Sequence, residues 1–164
     1  MKSKETILKK LINENPNENI LFEQYKLYAE MANNISERRE NSNKFYLGLI
    51  SGILTLTSIV ITLTQEYVYL IILILICSIL ICLNWYQNIE SYKLLNFGKF
   101  SVINHMEKEL PAKGFSIEWE LINLKGYKHL TYIEKNIPLF FLGLCVILLG
   151  LIIIQNCGNF FQII

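Results

Sequence analysis

The chain has 164 residues, of which 52% are hydrophobic and 18% charged, and its formal net charge is +1. So large an apolar share excludes a simple soluble domain of this length, and it arises from three runs without Asp, Glu, Lys or Arg. The runs cover residues 45–63, 67–83 and 137–154 and contain 19, 17 and 18 residues, close to the ~20 that cross a bilayer core. They predict an all-α polytopic membrane protein with three transmembrane helices and helical cytoplasmic extensions. Buried helices of a soluble core are the weaker alternative.

The N-terminal segment is predicted to form helices outside the membrane. A first helix covers 3–13 and stops before Pro16, because a residue that precedes proline avoids helical backbone angles. No Gly or Pro then follows until Gly48, so we expect one nearly continuous helix from about 19 to 63. Its first part carries a cytoplasmic contact stripe that a single helix cannot bury, and the partner is either segment 87–137 or another subunit. The stripe comprises Tyr25, Tyr28, Ala32 and Ile35.

The first apolar run carries an unusual number of small and hydroxyl-bearing residues. At about 100° per residue, six of them share about a third of the helix circumference, and only Thr57 lies opposite. Such a face is not built for lipid. It either packs against other helices through close backbone approach or lines water in an assembled ring. The six residues are Gly48, Ser51, Gly52, Thr55, Ser58 and Thr62.

After the second run the helix is predicted to continue to Glu109, and Pro111 ends it. Residues 115–124 form an apolar-rich element whose type the sequence leaves open. Three residues of this region are candidates for docking a cytoplasmic partner, although a packed tryptophan beside solvated carboxylates is the plainer interpretation. They are Phe100, Glu118 and Trp119.

The third run follows a capping-box pattern formed by Thr131 and Glu134, which predicts the start of the last helix at Thr131. Within that helix, Gly143 and Gly150 lie seven residues apart. Glycines at this spacing let helix backbones approach closely, so they form a second candidate packing seam.

The placement of lysine and arginine predicts the orientation in the membrane. Segment 1–44 holds 8 and segment 87–137 holds 7 of the 15 positive residues, while the linker 64–66 has none. By the positive-inside rule both charged segments are cytoplasmic, the N-terminus is inside and the C-terminus is outside. Trp85 and Tyr86 are expected at the inner lipid interface. The chain thus divides into cytoplasmic helices (1–44), a transmembrane hairpin (45–86), a cytoplasmic segment (87–137) and a third span with a short tail (138–164).

The sequence contains no motif for phosphate, dinucleotide or nucleophilic chemistry, so we expect no enzyme, no cofactor and no nucleic-acid partner. The two histidines stand 24 residues apart without a metal-ligand pattern. Glu107 and Glu109 are two residues apart and would point to different faces of a helix, so they form no acid–base pair. Cys77, Cys82 and Cys145 lie in predicted spans and are expected to pack as small apolar residues.

Five short motifs, taken in order, resemble the bacterial RipA-type family of small octameric membrane proteins. They are Arg-Arg before the first span, N-x-G-K-F, E-x-x-L-P, E-W and T-x-x-E-x-x-x-P. The likeness covers about residues 20–155. It implies a homo-octamer that acts in antiviral defence. In such a system a cytoplasmic portion meets a phage component, and the membrane portion assembles into a pore that kills the infected cell.

The leading hypothesis is therefore a homo-oligomeric effector of antiphage defence that permeabilises the bacterial inner membrane, a form of abortive infection. Its expected partners are further copies of itself, the lipid bilayer and a phage structural protein. The alternatives are a membrane-anchored scaffold or regulatory subunit that does not conduct, and a constitutive channel that needs no trigger.

Overall fold

The computed structural model describes residue 8 and residues 17–63, 68–125 and 130–161, without the side chains of residues 63 and 157–161. Most of these residues lie in four long or medium helices, and no described residue is in a strand. The helices are α1 (Glu18–Leu63), α2 (Val68–Met106), α3 (Gly114–Leu124) and α4 (Leu130–Phe161), and a 3-10 turn (Glu107–Glu109) follows α2. Apart from residue 8, the predicted helix over 3–13 lies outside the described residues, as do the linker 64–66 and the side chain of Cys157.

Helix α1 runs for 46 residues without a break, which confirms the predicted continuous helix. It begins after Asn17, whose side-chain Oδ1 accepts a hydrogen bond from the Asn19 backbone N–H at 3.1 Å. Asparagine is a favoured N-cap residue because this bond satisfies an amide that has no partner inside the helix.

The later helices also follow the sequence closely, with one exception. Helix α2 and its 3-10 turn end at Glu109, as predicted, and residues 114–124 are helical. The predicted capping box is wrong, because α4 already includes Leu130 and Thr131 therefore lies inside the helix. Pro138 is also inside α4, nine residues into a helix of 32 residues that continues beyond it.

Three helices are long and apolar enough to cross a membrane, which confirms the three predicted spans. The chain divides into two compact units. Unit 1 comprises Met1–Arg39 and Ser91–His129, and unit 2 comprises Glu40–Glu90 and Leu130–Ile164. Unit 2 contains all three apolar runs, whereas the segments of unit 1 contain 13 of the chain's 15 positive residues and none of the runs.

The core of unit 2 is built around Trp85, which is only 1% exposed. Its ring stacks on Tyr46 with centroids 5.8 Å apart, and it also contacts Phe141 of α4. Its indole N–H donates a hydrogen bond of 2.9 Å to the Asn43 side-chain oxygen. Trp85 therefore does not face lipid in this structure, because the indole lies between the helices and has its polar partner there.

Polar contacts join the helices at the same level of unit 2. Asn88 donates a hydrogen bond of 3.1 Å to Ser42, and Lys135 of α4 forms an ion pair with Glu90 of α2. The Lys135 ammonium also lies 5.0 Å from the centroid of the Tyr86 ring. Side chains of all three membrane helices are thus tied together by directional contacts in addition to apolar packing.

The cysteines divide into two classes. Cys82 and Cys145 are fully buried, which confirms their predicted role as small packing residues. Cys77 is exposed, so the same prediction is wrong for this residue in the single chain.

Candidate functional site

The small and hydroxyl-bearing face of α1 points away from the other helices of its own chain. The buried side of the same helical segment is centred on Ile50 and Thr57, which are 0% and 2% exposed. This side lies about half a turn from the face. All six predicted residues, Gly48, Ser51, Gly52, Thr55, Ser58 and Thr62, are exposed.

Space around the glycines leads to the same conclusion. A Cβ atom built on Gly48 or Gly52 would meet nothing within 4 Å. The face therefore does not pack against the second or third span of the same chain, which was one form of the packing interpretation. Packing against another copy of the chain and lining of water both remain compatible with these positions.

Two kinds of residue occupy two halves of this face. Counted from Gly48 at about 100° per residue, the two glycines lie within about 40° of each other, while the four hydroxyl residues fall between about 280° and 340°. The Thr55 hydroxyl donates to the Ser51 carbonyl at 2.8 Å, and the Thr62 hydroxyl donates to the Ile59 carbonyl at 2.8 Å. One half permits close backbone approach, and the other presents hydroxyl oxygens.

The second candidate seam lies on α4. Gly143 and Gly150 are both half-buried, and a Cβ atom on either would meet nothing within 4 Å. No side chain among the described residues fills the space at these glycines, so this seam too is open in the single chain.

The predicted contact stripe on α1 makes contacts inside unit 1. Ala32 is buried, and Tyr25, Tyr28 and Ile35 are half-buried. The Tyr25 ring lies 6.1 Å from the Phe115 ring of α3, and the Lys99 ammonium of α2 lies 4.7 Å from the Tyr28 ring centroid. Segment 87–137 of the same chain, one of the two predicted partners, therefore contacts this face.

A buried carboxylate directly after α2, in the 3-10 turn, is the polar centre of unit 1. Glu107 is 0% exposed and accepts four hydrogen bonds. The Tyr25 hydroxyl donates to Oε1 at 3.0 Å and the Phe115 backbone N–H to the same oxygen at 2.8 Å. The Ser116 backbone N–H and hydroxyl donate to Oε2 at 2.9 and 2.6 Å.

These bonds make Glu107 the N-terminal cap of α3, supplied from a different element. The residue before α3, Lys113, makes no side-chain capping bond. The first amides of a helix lack internal partners and carry a partial positive charge, so a carboxylate is the favoured group there. This role was not predicted, and its local signal in the sequence is a carboxylate followed by Pro111 and Gly114.

The same contacts determine the protonation of the two partners. Burial by itself would raise the pKa of Glu107, but the hydrogen bonds from Ser116, Phe115 and Tyr25 outweigh it and hold the pKa below its ordinary value. Burial, together with the bond to Glu107 and its negative charge, raises the pKa of Tyr25 to about 12. Glu107 is therefore ionised and Tyr25 protonated at neutral pH.

The predicted docking residues fall into two groups. Phe100 packs against Phe115, with ring centroids 5.8 Å apart, and so belongs to the internal packing of unit 1. Glu118 and Trp119 lie on α3 and are exposed. All of α3 is described, and none of its residues is buried. An unpredicted feature of α3 is an exposed apolar stripe made of Ile117, Leu121 and Leu124.

No group of three or more His, Cys, Asp or Glu side chains among the described residues could hold a metal ion. Neither a curated protein nor a solved structure matches the chain. The family model of the octameric membrane protein family (8xMP) matches residues 22–154, which include all three apolar runs and most of the four helices. A match over this share of the sequence shows that the chain belongs to the octameric membrane protein family.

Proposed function

We propose that the chain is the subunit of a homo-oligomeric pore that permeabilises the bacterial inner membrane in antiphage defence. The observation that carries the proposal is the exposed face of α1 described above. It presents two glycines and four hydroxyl side chains on the side opposite to the chain's own packing. In a bilayer this face needs either another protein surface or water beside it.

One assembly can place a protein surface beside one half of the face and water beside the other half. Gly48 and Gly52 suit the approach of a neighbouring subunit, because a glycine pair spaced by four lets helices come close. Thr55, Ser58 and Ser51 lie on the adjacent half and suit contact with water. The three apolar runs contain no ionisable Asp, Glu, Lys or Arg, so we expect such a pore to be weakly ion-selective.

The defence role is supported by the resemblance of the sequence to a family with that function. Under this proposal the N-terminus and unit 1 are cytoplasmic and the C-terminus is outside, in line with the distribution of positive charge. Unit 1 then faces the compartment in which a phage structural protein would appear and act as the trigger.

The test is dye entry into cells after triggered expression, compared among four chains. Wild type should admit a membrane-impermeant dye. Thr55→Leu should keep the oligomer and reduce dye entry, because added bulk narrows the water-lined half. Gly52→Leu should abolish the oligomer, since loss of close helix contact costs on the order of 1–2 kcal/mol at each interface.

Cys77→Leu is the matched control. It also adds a leucine to an exposed position in a span, but outside the face. Its dye entry and oligomer mass should equal those of wild type. Unchanged mass and unchanged dye entry in both face variants would refute a role of the face in either packing or conduction.

A non-conducting scaffold is the second candidate, and one observation favours it. The hydroxyls of Thr55 and Thr62 already donate to carbonyls of their own helix. Hydroxyls bonded in this way are tolerated in a helix interface without water. A scaffold predicts an intact oligomer and no dye entry under any trigger.

A further inference from the structure

We infer that the exposed apolar stripe of α3 docks against the outward face of α2 in a second copy of this chain. The inference rests on the proposed assembly and names its contact surface in unit 1. The stripe consists of Ile117, Leu121 and Leu124, which are 54%, 58% and 83% exposed. Residues spaced by four and three lie on one side of a helix, so they form a continuous apolar surface.

The described contacts of α3 with its own chain include its N-terminal end and the side that carries Phe115. Its N-terminus is held by the four hydrogen bonds to Glu107, and the ring of Phe115 contacts Tyr25 and Phe100. The stripe lies on a different side of the helix from Phe115. The internal contacts therefore fix the direction of α3 and leave its apolar surface free for a partner.

The occupant is a second copy because the chain belongs to an octameric family of membrane proteins. Subunits inserted in one membrane with the same orientation can be related only by an axis along the membrane normal. Eight such subunits form a ring, and each contact joins two different faces. Unit 1 must then offer the neighbour a second surface that complements the stripe.

The outward face of α2 has the required properties. Leu94 is 67% exposed and lies about half a turn from the buried Ile103. Leu95 is exposed as well, so this surface is also apolar. The exposed Lys93 stands beside it, whereas the stripe of α3 is flanked by two exposed carboxylates, Glu118 and Glu120. Both surfaces are therefore apolar, and the exposed charged side chains beside them are of opposite sign.

A third exposed apolar surface, on α1, fits less well. Ile20, Leu27 and Met31 form it, and Glu23 and Glu30 accompany it. Lys26, which is also nearby, is paired with Glu23 at 2.8 Å. Its net negative charge would repel the carboxylates of α3, so this surface is the competing partner that the experiment must exclude.

Disulfide cross-linking in membranes tests the contact. A chain with Leu94→Cys and Leu121→Cys should give, under copper-phenanthroline, a reducible ladder at multiples of 19.1 kDa. Because a disulfide tolerates little misplacement, Ile117→Cys and Leu124→Cys are tried in place of Leu121→Cys. Each single variant, and wild type with its native cysteines, should give no ladder. Two different single variants expressed together should stop at dimers.

Charge reversal provides an independent arm. Glu118→Lys with Glu120→Lys should lower the cross-linking yield severalfold, and Lys93→Glu in the same chain should restore it. Three outcomes would overturn the inference. They are a dimer from Leu121→Cys alone, a ladder that forms only when Leu27→Cys replaces Leu94→Cys, and no cross-link at any of the three stripe positions.

The same preparations separate this inference from the proposed function. An octamer that admits dye but gives no ladder contradicts the α3–α2 contact and leaves the pore proposal standing. A chain that forms no octamer contradicts both, whereas a ladder in an octamer that admits no dye supports the contact and contradicts the pore.

Discussion

Replacement of Glu107 by alanine is the sharpest test of how unit 1 is held together. The change removes the acceptor of four hydrogen bonds, two of which come from the first amides of α3. Since no residue of α3 is buried, apolar packing does little to compensate for the loss. We expect α3 to open far more often while the membrane helices remain intact.

The size of the effect follows from the two backbone bonds. A hydrogen bond to a charged group contributes about 1.5–3 kcal/mol to stability. The low end applies, because Phe115 and Ser116 are half-buried and water replaces part of each bond. The alanine variant also has no carboxylate to desolvate. Two bonds then give about 3 kcal/mol, and since about 1.4 kcal/mol is a factor of ten, the opening equilibrium shifts on the order of 100-fold.

Hydrogen–deuterium exchange, read on peptides that cover residues 114–124, measures this shift directly. Amides that open locally exchange at a rate set by the opening free energy. Glu109→Ala is the matched control because Glu109 is exposed, and it should leave exchange unchanged. Tyr25→Phe removes only the hydroxyl bond and leaves both backbone bonds of α3, so it should change exchange less than Glu107→Ala does. Wild-type exchange in Glu107→Ala would refute the capping role of the carboxylate.

Three further predictions concern pH, topology and the ion pair. Folding lowers the pKa of Glu107, so the stability that its carboxylate contributes is complete above the ordinary carboxyl pKa of about 4.3. This stability is lost as the pH falls through the lower pKa of the folded state. The protection of α3 from exchange should therefore decrease in that pH range in wild type and not in Glu107→Ala. A cysteine at Gln65 and the native Cys157 should both react with an impermeant thiol reagent in whole cells, and labelling of Cys157 only after lysis would reverse the third span. Glu90→Lys should lower the unfolding temperature by removing the ion pair with Lys135, and adding Lys135→Glu should recover much of the loss, whereas no recovery would show that the pair contributes nothing.

The membrane helices could be predicted from the sequence because composition alone determines them. A charge-free run of 17 or more apolar residues has few alternatives to a span. The continuity of the first part of α1 could also be predicted from the sequence. Gly and Pro are the residues that most often interrupt a helix, and neither occurs between Asn17 and Tyr46. These features depend on local sequence, and periodicity also identified the exposed face that contains Gly52.

The contacts of Glu107 and Trp85 could not be predicted, because their partners are distant in sequence. Tyr25 and Glu107 are 82 residues apart, and Trp85 and Asn43 are 42 apart. An aromatic residue at the end of a span is predicted to lie at the membrane interface unless its buried partner is known. Similarly, the stripe on α1 required a partner, but periodicity could not choose between the same chain and another subunit.

The most direct test of the central claim is dye release from liposomes that contain the purified chain at known stoichiometry. Native mass spectrometry should give about 153 kDa for eight copies of the 19.1 kDa chain. Liposomes that carry this octamer should release an entrapped dye once the phage trigger is added, and Thr55→Leu octamers of the same mass should release it more slowly. Octamers of full mass that retain the dye with every trigger would contradict the pore and favour the scaffold.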